Sequence, residues 1–247
     1  MGDSQVLDPF FGGKAVPFQI AGSFASGMTS DSFGPSGPVA QVCLRPYQQQ
    51  AIENLDAKLA AGVRRIVIVA PTGAGKTVIA GSIISNSARR GSSVLFLAHR
   101  RELINQSYKK LLDFGLPESS VGVIMAGDSR RRPAATVQIA SVDTLRNRPK
   151  PPADVVFVDE CHRATAPSYQ TIASNYPNAV HLGLTATPYR ADGKGLCDAY
   201  DDLLVVASPS QLIADGYLVA PRIFTVPPSA MPDLSAVRVR GGDYDEK

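Results

Sequence analysis

Apolar positions change period along the chain, and each change marks an element. From Pro46 to Gly62, the residues Tyr47, Ala51, Ile52, Leu55 and Leu59 recur at the spacing of a helix with one buried stripe. Pro46 suits the first helical position, and Gly62 ends the run. The unbroken apolar run Ile66 to Val69 reads as a buried strand, and Val78 to Ala88 as the helix after it. Val94 to Ala98 is a second buried strand. Arg101 to Phe114 is predicted helical, with Leu103, Ile104, Tyr108, Leu111 and Leu112 on its apolar face and Gly115 behind it. Val121 to Met125, Thr136 to Ala140, Asp154 to Val158 and Val180 to Leu184 are predicted strands. Strands alternating with helices imply an α/β fold, a mainly parallel sheet with helices on both faces. Ligands of such sheets sit at the carboxyl ends of the strands. The stretches that fall there are Ala70 to Thr77, His99-Arg100-Arg101, Ser141, Asp159-Glu160 and Thr185.

The first forty or so residues follow neither period. They are rich in Gly, Ser and Pro, nearly uncharged, and carry Phe10, Phe11, Phe18, Phe24 and Phe33. Two readings stay open for them: a flexible extension, or an arm whose phenylalanines fill pockets on a partner or on the main domain. The 247 residues suffice for one large domain with extensions, and 44% hydrophobic content is that of an ordinary globular protein. No apolar run approaches the ~18 residues of a membrane helix, and no signal peptide is evident. Cys43, Cys161 and Cys197 are odd in number and lack C-x-x-C spacing. That argues against a disulfide framework and a four-cysteine zinc site, and for a reducing, cytoplasmic compartment. A net charge of +3 permits a nucleic-acid partner without demanding one.

The chemistry centres on Ala70-Pro71-Thr72-Gly73-Ala74-Gly75-Lys76-Thr77, between a strand and a helix. It fits G-x-x-x-x-G-K-[ST] except at its first position, where Ala70 stands. The motif needs backbone N–H groups gathered around a β-phosphate at the positive end of a helix, and Gly73 and Gly75 give the loop that freedom. Lys76 would then reach the β- and γ-phosphates, and the Thr77 hydroxyl would ligate Mg²⁺. Asp159 and Glu160 follow an apolar strand. The first can hold Mg²⁺ opposite Thr77, and the second can orient or deprotonate the attacking water. A solvated turn is the plainer reading of these two acids. Gln48, on the first helix, carries an amide that can donate to and accept from an adenine edge; it could equally be a solvated side chain.

These stretches resemble the motifs of superfamily 2 helicases of the DEAD/DEAH-box-like kind. Ala70–Thr77, Asp159-Glu160-Cys161-His162 and Thr185-Ala186-Thr187-Pro188 look like motifs I, II and III. Leu44–Ile52 looks like the adenine-reading Q-type motif, Leu97–Leu103 like motif Ia, and Ile139–Leu145 like a later DNA-contacting motif. The run Leu182–Arg190, with Asp192–Leu196 after it, is similar to the RadD-like bacterial and phage helicases. The resemblance implies a RecA-like P-loop NTPase lobe over residues 42–226, with ATP and Mg²⁺ as cofactors, in a bacterial or phage-infected cell. It implies that Thr72, Gly73, Ala74, Gly75, Lys76 and Thr77 bind phosphate and metal, that Arg45 and Gln48 recognise the adenine nucleotide, and that Lys76, Asp159 and Glu160 carry the catalysis. It further implies that Arg100, Ser141 and Thr144 contact a nucleic-acid backbone, DNA ahead of RNA, single-stranded or duplex. His162, Thr185 and Thr187 would couple nucleotide state to lobe movement. A capped turn is the alternative for the two threonines, and an exposed charge for Arg100.

Helicases of this kind have two lobes with ATP between them, and the second normally supplies an arginine finger. No second motif set follows in this chain, and residues 227–247 look like the start of an interlobe linker or a tail. Arg130-Arg131-Arg132 reads as a solvated loop or a phosphate contact. The expectation is therefore a first lobe that hydrolyses ATP only when a second lobe, in cis or in trans, completes it. A stand-alone ATP- and nucleic-acid-binding module without turnover, and an interaction protein reusing the lobe, are the alternatives.

Overall fold

Seven strands, each rich in β-branched or aliphatic residues, pair in parallel into one sheet of order β3-β4-β2-β5-β6-β1-β7. They are β1 (Arg65–Val69), β2 (Val94–Ala98), β3 (Val121–Ile124), β4 (Val137–Ser141), β5 (Val155–Asp159), β6 (Val180–Thr185) and β7 (Asp202–Val205). The computed structural model describes residues 43–164, 166–188 and 196–222, and the backbone alone of 239–240 and 243–244. The Phe-rich extension, the 189–195 part of the RadD-like run and most of residues 223–247 lie outside the described residues.

Helices α1 (Pro46–Ala60), α2 (Lys76–Arg89), α3 (Arg101–Asp113) and α6 (Pro209–Ala214) bury one core, built on Leu55, Ile79, Ile83, Ile104 and Leu212, against one face of the sheet. Helices α4 (Val142–Leu145) and α5 (Pro167–Ala173) bury a second, around Leu145, Cys161, Tyr169 and Ile172, against the other. Successive side chains of a strand point to opposite faces, so Ile66 and Ile68 enter the first core while Val67 and Val69 enter the second. Coverage on both faces explains why the inner strands read as unbroken apolar runs.

The predicted elements are all present, with boundaries shifted by one or two residues. Four of the labelled elements lacked a sequence expectation: α4, α5, β7 and α6. The edge strand β7 turns only Leu204 into the core and leaves Leu203 and Val205 exposed, at 42% and 54%. The basic run also differs from expectation. Arg130 is ion-paired with Asp128 at 2.5 Å, donates to Asn105 Oδ1 at 2.6 Å, and lies over the Tyr108 ring. Arg132 pairs with Glu118 at 2.7 Å, and its carbonyl accepts from the buried Gln138 amide at 2.7 Å. Two of the three arginines are thus structural pins of the β3–β4 connection rather than a solvated loop, and only Arg131 is exposed.

Candidate nucleotide site

Register brings the candidate residues to one end of the sheet. Val69, the last residue of β1, lies beside Thr185 at the end of β6, and Asp159 at the end of β5 lies beside Leu184. The chain leaves β1 through Ala70, whose N–H donates to the Thr185 carbonyl at 3.0 Å. It then turns through Gly73 and Gly75, at φ +85° and +80°, a left-handed conformation that side-chain-bearing residues rarely adopt. Gly75 caps α2, its carbonyl accepting from the Val78 and Ile79 N–H groups at 2.9 and 3.0 Å, so the Lys76 and Thr77 amides stand at the open end of the helix.

The loop is held from behind. Tyr47 Oη and Gln48 Nε2 both donate to the Ala74 carbonyl, each at 3.0 Å. Gln48 Oε1 in turn accepts from the Arg45 N–H at 3.0 Å, tying the side chain to the start of its own helix. Gln48 is only 3% exposed, yet one amide hydrogen and one oxygen lone pair remain free of these bonds. A Cβ on Gly75 would collide with Gln48 Nε2, and one on Gly73 would meet Leu218 Cδ2 at 2.8 Å. Tyr217 packs edge-on against Tyr47, with ring centroids 5.1 Å apart, and the Arg45 guanidinium lies 4.8 Å over its ring. Sequence reasoning places Tyr47 on an apolar stripe and passes over Tyr217 and Leu218. Their signal is weak: an aromatic and a leucine directly after Gly216, which ends α6 at φ +74°.

The acidic turn is built differently. Glu160 has φ 51°, a strained value for a residue with a side chain, and its N–H donates to Asp159 Oδ1 at 3.0 Å. His162 Nδ1 lies 3.3 Å from Glu160 Oε2. Burial and, after it, the neighbouring Glu160 charge push the Asp159 carboxyl above its ordinary pKa; Lys76 and His162 pull it back only in part. Cys161 is buried, its thiol pushed up to about 12, which suits packing rather than nucleophilic work.

Lys76, Thr77, Asp159 and Glu160 line one cavity of about 130 Å³, closed by Ile84, Phe96, Leu103, Leu111 and Leu184. A hydroxyl and a half-buried carboxylate that positive charge compensates only in part are the oxygen donors a magnesium ion takes when phosphates supply the remainder. The left-handed glycines and free first-turn amides are the cradle a triphosphate requires. The residues present therefore fit both ATP and Mg²⁺.

The other candidates lie along the same strand ends. Thr185 is wholly buried, its hydroxyl donating to the Thr187 carbonyl at 2.8 Å and accepting from the Thr187 N–H at 3.2 Å. That is the capped turn, so its side chain is engaged within the loop. Arg100 is the exposed residue at the start of α3, and Ser141 caps α4, beside Ala98 of β2. Thr144 Oγ1 accepts from the Ala126 N–H at 3.3 Å, and the Ala126 carbonyl accepts from Arg101 at 3.1 Å. One short loop thus joins α3 to α4. Among the described residues no helix is long and apolar enough to cross a membrane.

This geometry agrees with what the chain is similar to. It is 32% identical over 181 residues to a 51.5 kDa protein of a Lactococcus phage, a match covering 73% of this chain and 36% of that one. It is likewise 32% identical over 197 residues to the putative mitochondrial ATP-dependent helicase irc3 of Schizosaccharomyces pombe, covering 74% and 32%. The chain spans about a third of the length of such curated relatives. Among solved structures, the UvsW helicase of bacteriophage T4 shares the fold, with a TM-score of 0.56 at 21% identity over 65% of this chain and 59% of that one. The family model described as "Type III restriction enzyme, res subunit" matches residues 41–190, which take in the first helix, the phosphate loop and the acidic turn. By that match the chain belongs to this family and carries the first RecA-like lobe of a superfamily 2 helicase.

Proposed function

We propose that residues 42–226 form the ATP-binding first lobe of a DNA helicase or translocase, and that hydrolysis requires a second lobe in cis or in trans. The observation that carries this reading is the shared cavity, where Lys76 and Thr77 meet Asp159 and Glu160 across β6. Thr72 to Thr77 wrap the phosphates, with the Lys76 ammonium against their charge. Thr77 and Asp159 hold Mg²⁺, which when bound offsets phosphate charge. Glu160 accepts the proton of the attacking water. Gln48 has one N–H and one lone pair left. These match the N7 acceptor and N6 donor of adenine; guanine presents two acceptors on the same edge. Arg45 recognises the same base. His162, Thr185 and Thr187 pass nucleotide state on to lobe movement, Thr185 through the turn its hydroxyl already closes.

Arg100, Ser141 and Thr144 contact strand phosphates, a sequence-independent and salt-sensitive interaction. The restriction-enzyme description of the family supports DNA ahead of RNA as the strand. The test is steady-state ATP hydrolysis by this chain, with and without single-stranded DNA, using Glu160→Gln as blank. Turnover restored by a second lobe supports the reading. ATP binding with no turnover under any such condition leaves a binding module. Failure to bind ATP refutes it.

A further inference from the structure

The phosphate loop is braced by a segment that comes much later in the chain. At the end of α6 the chain turns at Gly216, and the Tyr217 and Leu218 N–H groups both donate to the Leu212 carbonyl, at 2.8 and 2.9 Å. That fixes a short strap. From it, Leu218 lies against the backbone of Gly73, and Tyr217 stands edge-on to Tyr47. The Arg45 guanidinium lies on the Tyr217 ring, and its Nη1 donates to Tyr47 Oη at 3.2 Å. That hydroxyl donates onward to Ala74 of the loop. No carboxylate among the described residues is ion-paired with Arg45.

Arg45 is thus an exposed cation held over an aromatic ring, with no carboxylate paired to it among the described residues. A planar guanidinium stacked on one side offers its other face to a second flat group. Its contacts lead through Tyr47 to the phosphate loop, where the second flat group at hand would be a nucleotide base.

We propose that Tyr217 is a positioning residue for the base end of the nucleotide site, holding the Arg45 guanidinium in the plane that stacks on a purine, while Leu218 backs the phosphate loop at Gly73. This rests on the ATP-binding reading and deepens it. Base recognition then depends on the strap through which the chain leaves the lobe, so a pull on residues after 218 is felt at the nucleotide.

Calorimetry on the full chain with Mg²⁺ tests this, comparing ATP with inorganic tripolyphosphate, which has the phosphates and no base. Tyr217→Ala weakens ATP about tenfold, the scale of one stacking contact, and leaves tripolyphosphate within about twofold. Tyr217→Phe, which keeps the ring, restores ATP affinity. Arg45→Ala gives the same ATP-selective loss, and the double variant is no worse than either single one, as coupled partners require. Leu218→Ala weakens both ligands together. An unchanged ATP affinity in Tyr217→Ala, or an equal loss for ATP and tripolyphosphate, overturns the inference and leaves the ATP-binding reading standing. Wild-type protein that binds neither ligand overturns both.

Discussion

The two halves of the candidate site face the same cavity and are stabilised in opposite ways. The phosphate loop is assembled from satisfied groups: the Ala74 carbonyl takes two hydrogen bonds, Gly73 and Gly75 occupy the backbone region open to glycine, and Leu218 and Gln48 fill the space behind them. The acidic turn is assembled from strained and mutually repelling ones. Glu160 sits in a left-handed conformation, and Asp159 is half-buried beside a like charge. Preorganised donors lose little on binding an anion. A buried carboxylate with too little positive charge near it gains from a cation. The loop is thus ready before its ligand arrives, while the turn becomes comfortable only afterwards.

That contrast can be broken at several points. Lys76→Ala has the largest expected effect: it removes the cation proposed to face the phosphates and lowers ATP affinity on the order of a hundredfold or more, with the circular dichroism spectrum unchanged. Calorimetry showing wild-type affinity would detach the loop from nucleotide binding altogether. Gly75→Ala comes next. It strains the φ of +80° and drives a methyl group into the Gln48 amide, so the variant unfolds at lower urea concentration, by more than about 1 kcal/mol, and binds ATP poorly. A stable variant with normal binding would mean that the loop is not the rigid half.

Asp159→Asn sharpens the comparison by changing sign. Burial holds the Asp159 pKa up, so its ionised form is disfavoured in the folded chain; a neutral isostere raises the metal-free melting temperature by a few degrees. The same variant weakens Mg²⁺-dependent ATP binding. A lower melting temperature would show that the turn carries no charge strain.

The smallest effect is a control at the far end of β6. His181 is buried, with Nε2 2.9 Å from the Tyr176 carbonyl, and burial lowers its pKa below the ordinary 6.5. The unfolded chain therefore binds this proton more readily, so stability present above about pH 6.5 is lost as pH falls towards the lower folded pKa. His181→Gln flattens that part of the stability profile and leaves ATP affinity at pH 8 alone. An unaltered profile in urea titrations would assign the slope to other groups.

The sequence makes the inner strands legible because Ile66–Val69 and Val94–Ala98 are covered on both faces, and the glycines of the phosphate loop because no other residue suits that conformation. Strand β7 escapes notice for the converse reason. An edge strand with a single inward residue, Leu204, carries no pattern. Helix α6 has readable signals in Ser208, whose Oγ accepts from the Gln211 N–H, and in Pro209 after it, but its six residues are too few for a period. The partners of Gln48 and Arg45 depend on which distant segments the fold brings alongside, and a linear pattern cannot hold that. The arginine run misleads in part for the same reason: Glu118 comes beside Arg132 only in the folded chain, whereas Asp128, two residues before Arg130, is a partner within reach of the sequence.

The order of strands also sets a timetable for synthesis. Strand β1, which carries the phosphate loop, is flanked by β6 and β7, and its registers run from Arg65 against His181 and from Ile66 against Asp202. On the ribosome, β1 emerges among the first elements and must wait for almost the last before either edge is paired. Strands β2 to β5 can associate meanwhile. The cavity between the phosphate loop and the acidic turn would therefore take shape only after β6 has left the exit tunnel, more than a hundred residues behind the loop itself.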